Sequence, residues 1–199
     1  SLHDALPIFK NYRLYIMVGL PNEDENDIKA IVDMTICLKQ YMEKLGSKGT
    51  LTLSINPFIA KPCTPFQWSA MADLKQTEKY FKYIKSELKK YKNIEVQFES
   101  TKESFIQGIL ARGDRKISQV IYEAHLNGGS KAFKRALKTF KINADDYLYR
   151  NFDKEELLPW DSLDMGFTKD YLWKELQTAL QEKHTIQCFD GCKRCGVCK

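Results

Sequence analysis

Cysteine is the residue whose placement in this chain most directly implies chemistry. Four of the six cysteines form the run Cys188-x3-Cys192-x2-Cys195-x2-Cys198, while Cys37 and Cys63 stand alone. Thiolates are soft ligands, and four of them suit tetrahedral zinc or an iron–sulfur cluster. Short spacers let the backbone fold back so that several sulfurs converge, and Gly191 and Gly196 relieve the turns this needs. Lys193, Arg194 and Lys199 offset thiolate charge. The spacers lie near the ferredoxin run C-x2-C-x2-C-x3-C read backwards, which tilts the reading toward a cluster, with zinc as the alternative. The non-functional reading is a tail of free thiols. A disulfide framework would spread its cysteines through a small secreted chain. No cationic-then-apolar leader opens this one, so the cysteines read as metal ligands in a reducing, cytoplasmic compartment.

Other candidates carry weaker signals. Gly19-Leu20-Pro21-Asn22-Glu23 follows an apolar run and precedes a helix, where α/β folds bind ligands, although such turns often hold Gly or Pro for geometry alone. The loop 56–68 also leaves a strand, and its Lys61, Phe58, Phe66 and Trp68 read equally as a pocket lining or as packing. Arg112-Gly113-Asp114-Arg115 reads first as an Arg–Asp network and second as an anion-binding turn at a helix start. His125 reads as structural, and His184 as an occasional metal ligand beside the cysteines. No Ser/His/Asp set, glycine-rich phosphate loop or paired carboxylate motif stands out. Two basic faces, Lys75, Lys79, Lys82, Lys85 and Lys89, then Lys131, Lys134, Arg135 and Lys138, read as solvated surface before RNA-binding stripes.

Hydrophobic period then places these residues on elements. Residues 12–18 (YRLYIMV) form a short apolar run stopped by Gly19-Leu20-Pro21, which predicts a strand buried on both faces. Acidic residues Glu23, Asp24, Glu25 and Asp27 mark a helix start, and Ile28, Ile31, Val32, Ile36, Met42 and Leu45 follow at helical spacing to a C-cap at Gly46. Leu51, Leu53 and Ile55 alternate with Thr52, Ser54 and Asn56, predicting a second strand. Pro57, Pro62 and Pro65 then forbid regular structure. A Lys-rich helix over 70–91 leads to a third strand at Ile94, Val96 and Phe98. This β-α-β-α-β order implies a parallel sheet with right-handed crossovers. From Glu103 the pattern is helical: Asp114 is expected to cap one helix, Phe133, Leu137 and Phe140 to face inward over 131–141, and the last helix to span 168–183.

Composition bounds the function class. The 199 residues are 43% hydrophobic and 29% charged with a net charge of +5, as in an ordinary folded protein rather than a disordered one. No apolar run nears the ~18 residues that span a bilayer, so no membrane role is expected. Residues 1–10 are expected to be a non-native or linker segment, because SLHDALPI lacks a clear period and resembles translated adaptor sequence. A three-stranded parallel sheet cannot close a barrel, so earlier strands are expected ahead of this chain.

Leu14-Tyr15-Ile16-Met17-Val18-Gly19-Leu20-Pro21, the loop 57–68 (PFIAKPCTPFQW) and Ala111-Arg112-Gly113-Asp114-Arg115, in this order, resemble the C-terminal part of a radical S-adenosylmethionine protein. Leu158-Pro159-Trp160-Asp161 and Cys195-Gly196-Val197-Cys198 point to a bacterial subfamily with an N-terminal cobalamin-binding-like region. The resemblance implies an α/β fold: the C-terminal β/α units of a partial (β/α)6 barrel over 11–100, a mainly helical region over 101–184 and a Cys-rich tail over 185–199. It would make residues 12–18 the fifth strand and 50–56 the sixth, and it assigns Gly19, Leu20, Pro21, Asn56, Pro57 and Phe58 to the adenosyl moiety. It assigns Cys188, Cys192, Cys195 and Cys198 to an auxiliary iron–sulfur centre, or zinc. The parent would use S-adenosylmethionine and a 4Fe–4S cluster held by three upstream cysteines, abstract hydrogen from an unknown substrate and, in this subfamily, have cobalamin as a further candidate cofactor. Cys188-x3-Cys192-x2-Cys195 matches the spacing of that upstream signature, but Arg194 stands where an aromatic is expected and no early barrel strand precedes it, so the match is read as coincidence. The chain is therefore expected to be inactive without the missing N-terminal part. The alternative is a non-enzymatic zinc or iron–sulfur module that contacts RNA through its basic helices.

Overall fold

The computed structural model describes residues 9–198, so most of the expected 1–10 linker, and Lys199, lie outside the described residues. Contacts divide the chain into two units. One takes the residues up to Phe58 together with Ala72–Ser104; the other takes Ile59–Met71 and the residues from Phe105 onward.

The first unit contains β1 (Tyr12–Val18), α1 (Glu25–Lys44), β2 (Leu51–Pro57), α2 (Leu74–Leu88) and β3 (Ile94–Phe98). The strands are parallel in the order β1-β2-β3. Register pairs Leu14 with Leu53 and Val96, and Ile16 with Ile55 and Phe98, so the apolar positions of all three strands share one face. Ile28, Val32 and Met42 of α1 and Phe81, Ile84 and Leu88 of α2 pack in the same core cluster as Leu51, Leu53 and Ile55. Both crossover helices therefore cover the same side of the sheet.

That arrangement corrects the expectation that the first strand is buried on both faces. β1 alternates between half-buried and exposed positions, and Tyr15 and Met17 are 76% and 53% exposed. β1 lies at the end of the strand order, and neither helix covers its other face. The open face carries Arg13, Tyr15 and Met17 beside Thr52, Ser54 and Asn56, then Glu95 and Gln97. Arg13 Nη1 donates to Gln97 Oε1 at 2.8 Å, reaching over the middle strand.

Local signals explain the helix limits. Asp24 Oδ1 accepts from the amides of Asn26 and Asp27, and Asp27 Oδ2 accepts from the Asp24 amide, a capping box with Asp in place of the usual Glu. The last turn closes as a Schellman motif, with Gly46 N–H to Glu43 O at 2.9 Å and Ser47 N–H to Met42 O at 3.0 Å. α2 starts at Leu74, later than the expected residue 70, because Asp73 Oδ1 accepts from the amides of Lys75 and Gln76.

The second unit is helical. α3 (Thr101–Arg112) enters it at Phe105, and α4 (Ile117–Leu126), α5 (Phe133–Thr139), α6 (Asp145–Leu148) and α7 (Lys169–Leu180) follow. Trp68, Phe152, Leu158, Trp160, Leu172 and Leu176 form its core cluster. The Pro-rich loop belongs here: Met71 N–H donates to Leu148 O and Phe152 N–H to Trp68 O, both at 2.8 Å. Contrary to expectation the loop is not wholly irregular. Pro65–Trp68 is a 3-10 turn with Pro65 at its first position, where a missing N–H is harmless. Asp114 does not cap α4, whose N-cap is Lys116; instead its Oδ1 accepts from the Lys116 amide at 2.9 Å, one turn earlier. Phe140 lies beyond the end of α5 and is 37% exposed, so it does not face the core as expected.

The chain is thus a mixed α/β protein, with a three-stranded parallel sheet and seven α-helices among the described residues. No described helix is long and apolar enough to cross a membrane.

Candidate functional site

At the carboxyl ends of β1 and β2 the register sets Met17 against Asn56 and Val18 against Pro57, and Phe58 N–H donates to Val18 O at 2.8 Å. The two expected segments, Gly19-Leu20-Pro21 and Asn56-Pro57-Phe58, therefore lie side by side. Gly19 has φ +94°, and a Cβ there would stand 3.0 Å from Ala72 Cβ, so the close approach needs glycine. Its amide donates to Glu23 Oε2, and the Glu23 amide donates to Leu20 O at 3.1 Å. Burial raises the Glu23 carboxyl above its ordinary range; the Gly19 amide opposes this and the charge of Asp27 adds to it. Gly19, Pro57 and Phe58 are buried, while Leu20, Pro21 and Asn56 keep part of their surface. Of the six candidates, only Leu20, Pro21 and Asn56 therefore keep surface at the strand ends. The sequence places Glu23 in this turn and at the helix start; the structure adds that its carboxylate closes the turn on the Gly19 amide.

The four residues of the Pro-rich loop, which read equally as a pocket lining or as packing, fall in both units, and the aromatics among them pack. Phe58 is buried in the sheet unit, Trp68 is buried in the helical unit with Phe66 packed against the same cluster, and Lys61 is exposed. Gln67 organises this loop instead, its Oε1 accepting from Trp160 Nε1 and from the Cys63 amide. That bond gives Leu158-Pro159-Trp160-Asp161 a structural task. Asp161 Oδ2 accepts from the Leu158 amide at 3.0 Å and pairs with Lys169 Nζ at 2.7 Å.

The cysteine run is docked on the helical unit by a main-chain bond and a close glycine contact. Thr168 N–H donates to Cys195 O at 2.9 Å just before α7. Gly196 has φ +90°, and a Cβ there would meet Thr168 Cγ2 at 2.7 Å. Cys192 is buried, Cys195 half-buried, and Cys188 and Cys198 are exposed. Arg194 ties the loop together, donating from Nε to Cys192 Sγ at 3.2 Å and from Nη2 to the carbonyls of Ile186 and Gln187. That hydrogen bond lowers the Cys192 thiol, whereas Cys192's charge, followed by burial and the charges of Cys198 and Cys195, raises Cys188. Among the described residues, no group of three or more His, Cys, Asp or Glu side chains is arranged to hold a metal ion, and His184 is exposed.

No family model matches the chain. The chain is similar to MJ0966, an uncharacterized protein of Methanocaldococcus jannaschii, at 34% identity over 142 residues. That match takes in 71% of this chain and 29% of the relative, so the chain spans less than a third of the protein it resembles. No solved structure matches it.

Proposed function

We propose that this chain is the C-terminal portion of a radical S-adenosylmethionine enzyme, contributing closing strands of a partial (β/α)6 barrel and a metal-binding tail. The observation that carries the reading is the winding of the sheet. Strands follow one another in sequence order, β1-β2-β3, with both crossover helices on the same face. A doubly wound sheet reverses its strand order and sends helices to both faces. Helices on one face of sequentially ordered parallel strands, with the other face left bare, are what a barrel segment presents. β3 is one strand more than the fifth and sixth that the resemblance assigns. A longer parent accords with the partial match to MJ0966.

In this reading Asn56, Leu20 and Pro21 contact the adenosyl group at the strand ends. Glu23 holds the Gly19 turn in shape by accepting its amide proton. An upstream 4Fe–4S cluster would supply the electron that cleaves S-adenosylmethionine. The tail's donor set fits zinc or an auxiliary cluster in chemistry: four thiols, one lowered by Arg194, on a loop docked to the start of α7. Cys188, Cys192, Cys195 and Cys198 would be its ligands.

Metal and sulfide analysis with absorption spectra after anaerobic purification tests the tail, with iron, sulfide and broad visible absorption as the expected result. The reading frame ahead of Tyr12 tests the whole reading, with a C-x3-C-x2-C motif expected there; a full-length gene product without one overturns it. The second reading, a zinc module that contacts RNA, rests on α2. Lys75, Lys79, Lys82, Lys85 and Lys89 are all exposed, and no ion pair engages them among the described residues. Zinc alone together with salt-dependent RNA binding would favour it.

A further inference from the structure

A concavity lies wholly within the helical unit and has no part in the reading above. Its volume is about 770 Å³, within the ~300–1,000 Å³ usual for small-molecule sites. Five cationic side chains line it, Arg112, Arg115, Lys116, Lys141 and Arg150, against three acidic ones. Each acid is already engaged. Asp114 accepts from the Lys116 amide and from Tyr147 Oη, Asp146 accepts from Asn143 Nδ2, and Glu156 takes a two-pronged bond from Arg150 at 2.9 and 2.6 Å. No ion pair reaches Arg112, Arg115, Lys116 or Lys141 among the described residues.

Arg112 is the unusual member. It is 1% exposed, its guanidinium stacks 3.8 Å from the Phe152 ring centre, and Arg150 stacks on the same ring at 4.3 Å. Nη2 donates to Arg150 O at 2.9 Å and Nη1 to Leu148 O at 3.4 Å, but Nε has no partner among the described residues. Burial pushes this guanidinium down to about 10, and the charge of Arg150 adds to the shift. Two guanidinium groups thus share one carboxylate, and the buried one lacks an anion of its own. A buried charge without a counter-ion is costly, and a bound anion relieves it. The rest of the lining mixes the polar Asn143, Tyr147 and Ser162 with an apolar group that includes Phe140, Leu157 and Pro159, with Leu157 85% exposed.

We propose that this cavity binds a small phosphomonoester with an apolar body, its phosphate held by Arg115, Lys116 and Lys141 over the buried charge of Arg112 and its body against Phe140 and Leu157. Guanidinium groups match phosphate oxygens in geometry as well as charge. The site is independent of the barrel reading, because every residue lining it belongs to the helical unit.

Calorimetric titration of the full chain at low ionic strength tests it, with phenyl phosphate, benzoate and inorganic phosphate as probes. Saturable binding of phenyl phosphate, at least tenfold tighter than either other probe, is expected. The double variant Lys116→Glu/Lys141→Glu alters only exposed side chains, so the fold holds, shown by an unchanged circular dichroism spectrum and Tm, while affinity falls at least tenfold. Equal binding of benzoate, undiminished binding by the variant, or no saturable heat from phenyl phosphate overturns the proposal. Binding of a single-stranded RNA without binding of phenyl phosphate overturns it too.

Discussion

Among the described residues each unit buries one cation, and the two are held differently. In the sheet unit Lys39 is 2% exposed; its Nζ donates to Gly49 O at 3.0 Å and lies 3.4 Å from Glu43 one helical turn on. In the helical unit Arg112 is as deeply buried, yet it meets two carbonyls, an aromatic ring and a second guanidinium, and its nearest carboxylate is committed to that neighbour. The lysine is a satisfied structural group that ties α1 to the turn before β2. The arginine holds the chain after α6 and keeps unspent attraction for an anion. Burial alone does not separate a structural charge from a binding one; the state of the partners does.

The comparison extends to the surfaces each unit leaves open, and substitutions grade it. The largest effect is expected on the covered face of the sheet: Leu53→Ala should destabilise the chain by about 2–5 kcal/mol in urea unfolding, whereas Tyr15→Ser on the open face should stay within about 0.5 kcal/mol. Similar losses at both positions would mean that the sheet is covered on both sides. Arg112→Met comes next. It removes charge-assisted bonds to Leu148 O and Arg150 O and should lose about 1.5–3 kcal/mol. Lys39→Met removes one such bond and a pair whose partner is largely exposed, so about 1 kcal/mol is expected, and a larger loss than at Arg112 would reverse the contrast.

Gly196→Ala tests the docking of the tail. Its φ of +90° and the 2.7 Å approach to Thr168 make a loss of about 1–2 kcal/mol the expected outcome, read as faster proteolysis after α7 with the sheet unit intact. The smallest effect is at the strand ends. The folded-state pKa of Glu23 is raised, so its contribution is whole below the ordinary value of 4.5 and is lost as pH rises through the folded value. Glu23→Gln should therefore gain on the wild type between pH 4 and pH 7, and an identical difference in unfolding free energy at both pH values would show that burial does not act on this carboxyl.

Much of the sheet unit was legible in the residues. Alternation in Leu51, Leu53 and Ile55 located β2, and the acidic cluster before Ile28 located the start of α1. The apolar run of β1 misled, because Tyr15 and Met17 count as hydrophobic wherever they point, and only the side chosen by the helices shows that they face outward. In the helical unit the reading lost the loop 59–71, whose prolines mark irregularity but not the unit it packs with. The candidates at the strand ends were grouped by the family resemblance, across about forty positions of chain, whereas the grouping around Arg112, which spans a similar distance from the end of α3, carries no pattern in the sequence.

Period, capping residues and prolines are properties of neighbouring residues, so the sequence by itself determined the order of strands and helices, the sites of the turns and the crowding of four thiols into one loop. Tertiary structure alone decided which sheet face stayed bare, which core the Pro-rich loop joined and which arginine was stripped of water without a carboxylate of its own. Those outcomes depend on the desolvation of groups far apart in the chain, and desolvation exists only once the chain has packed.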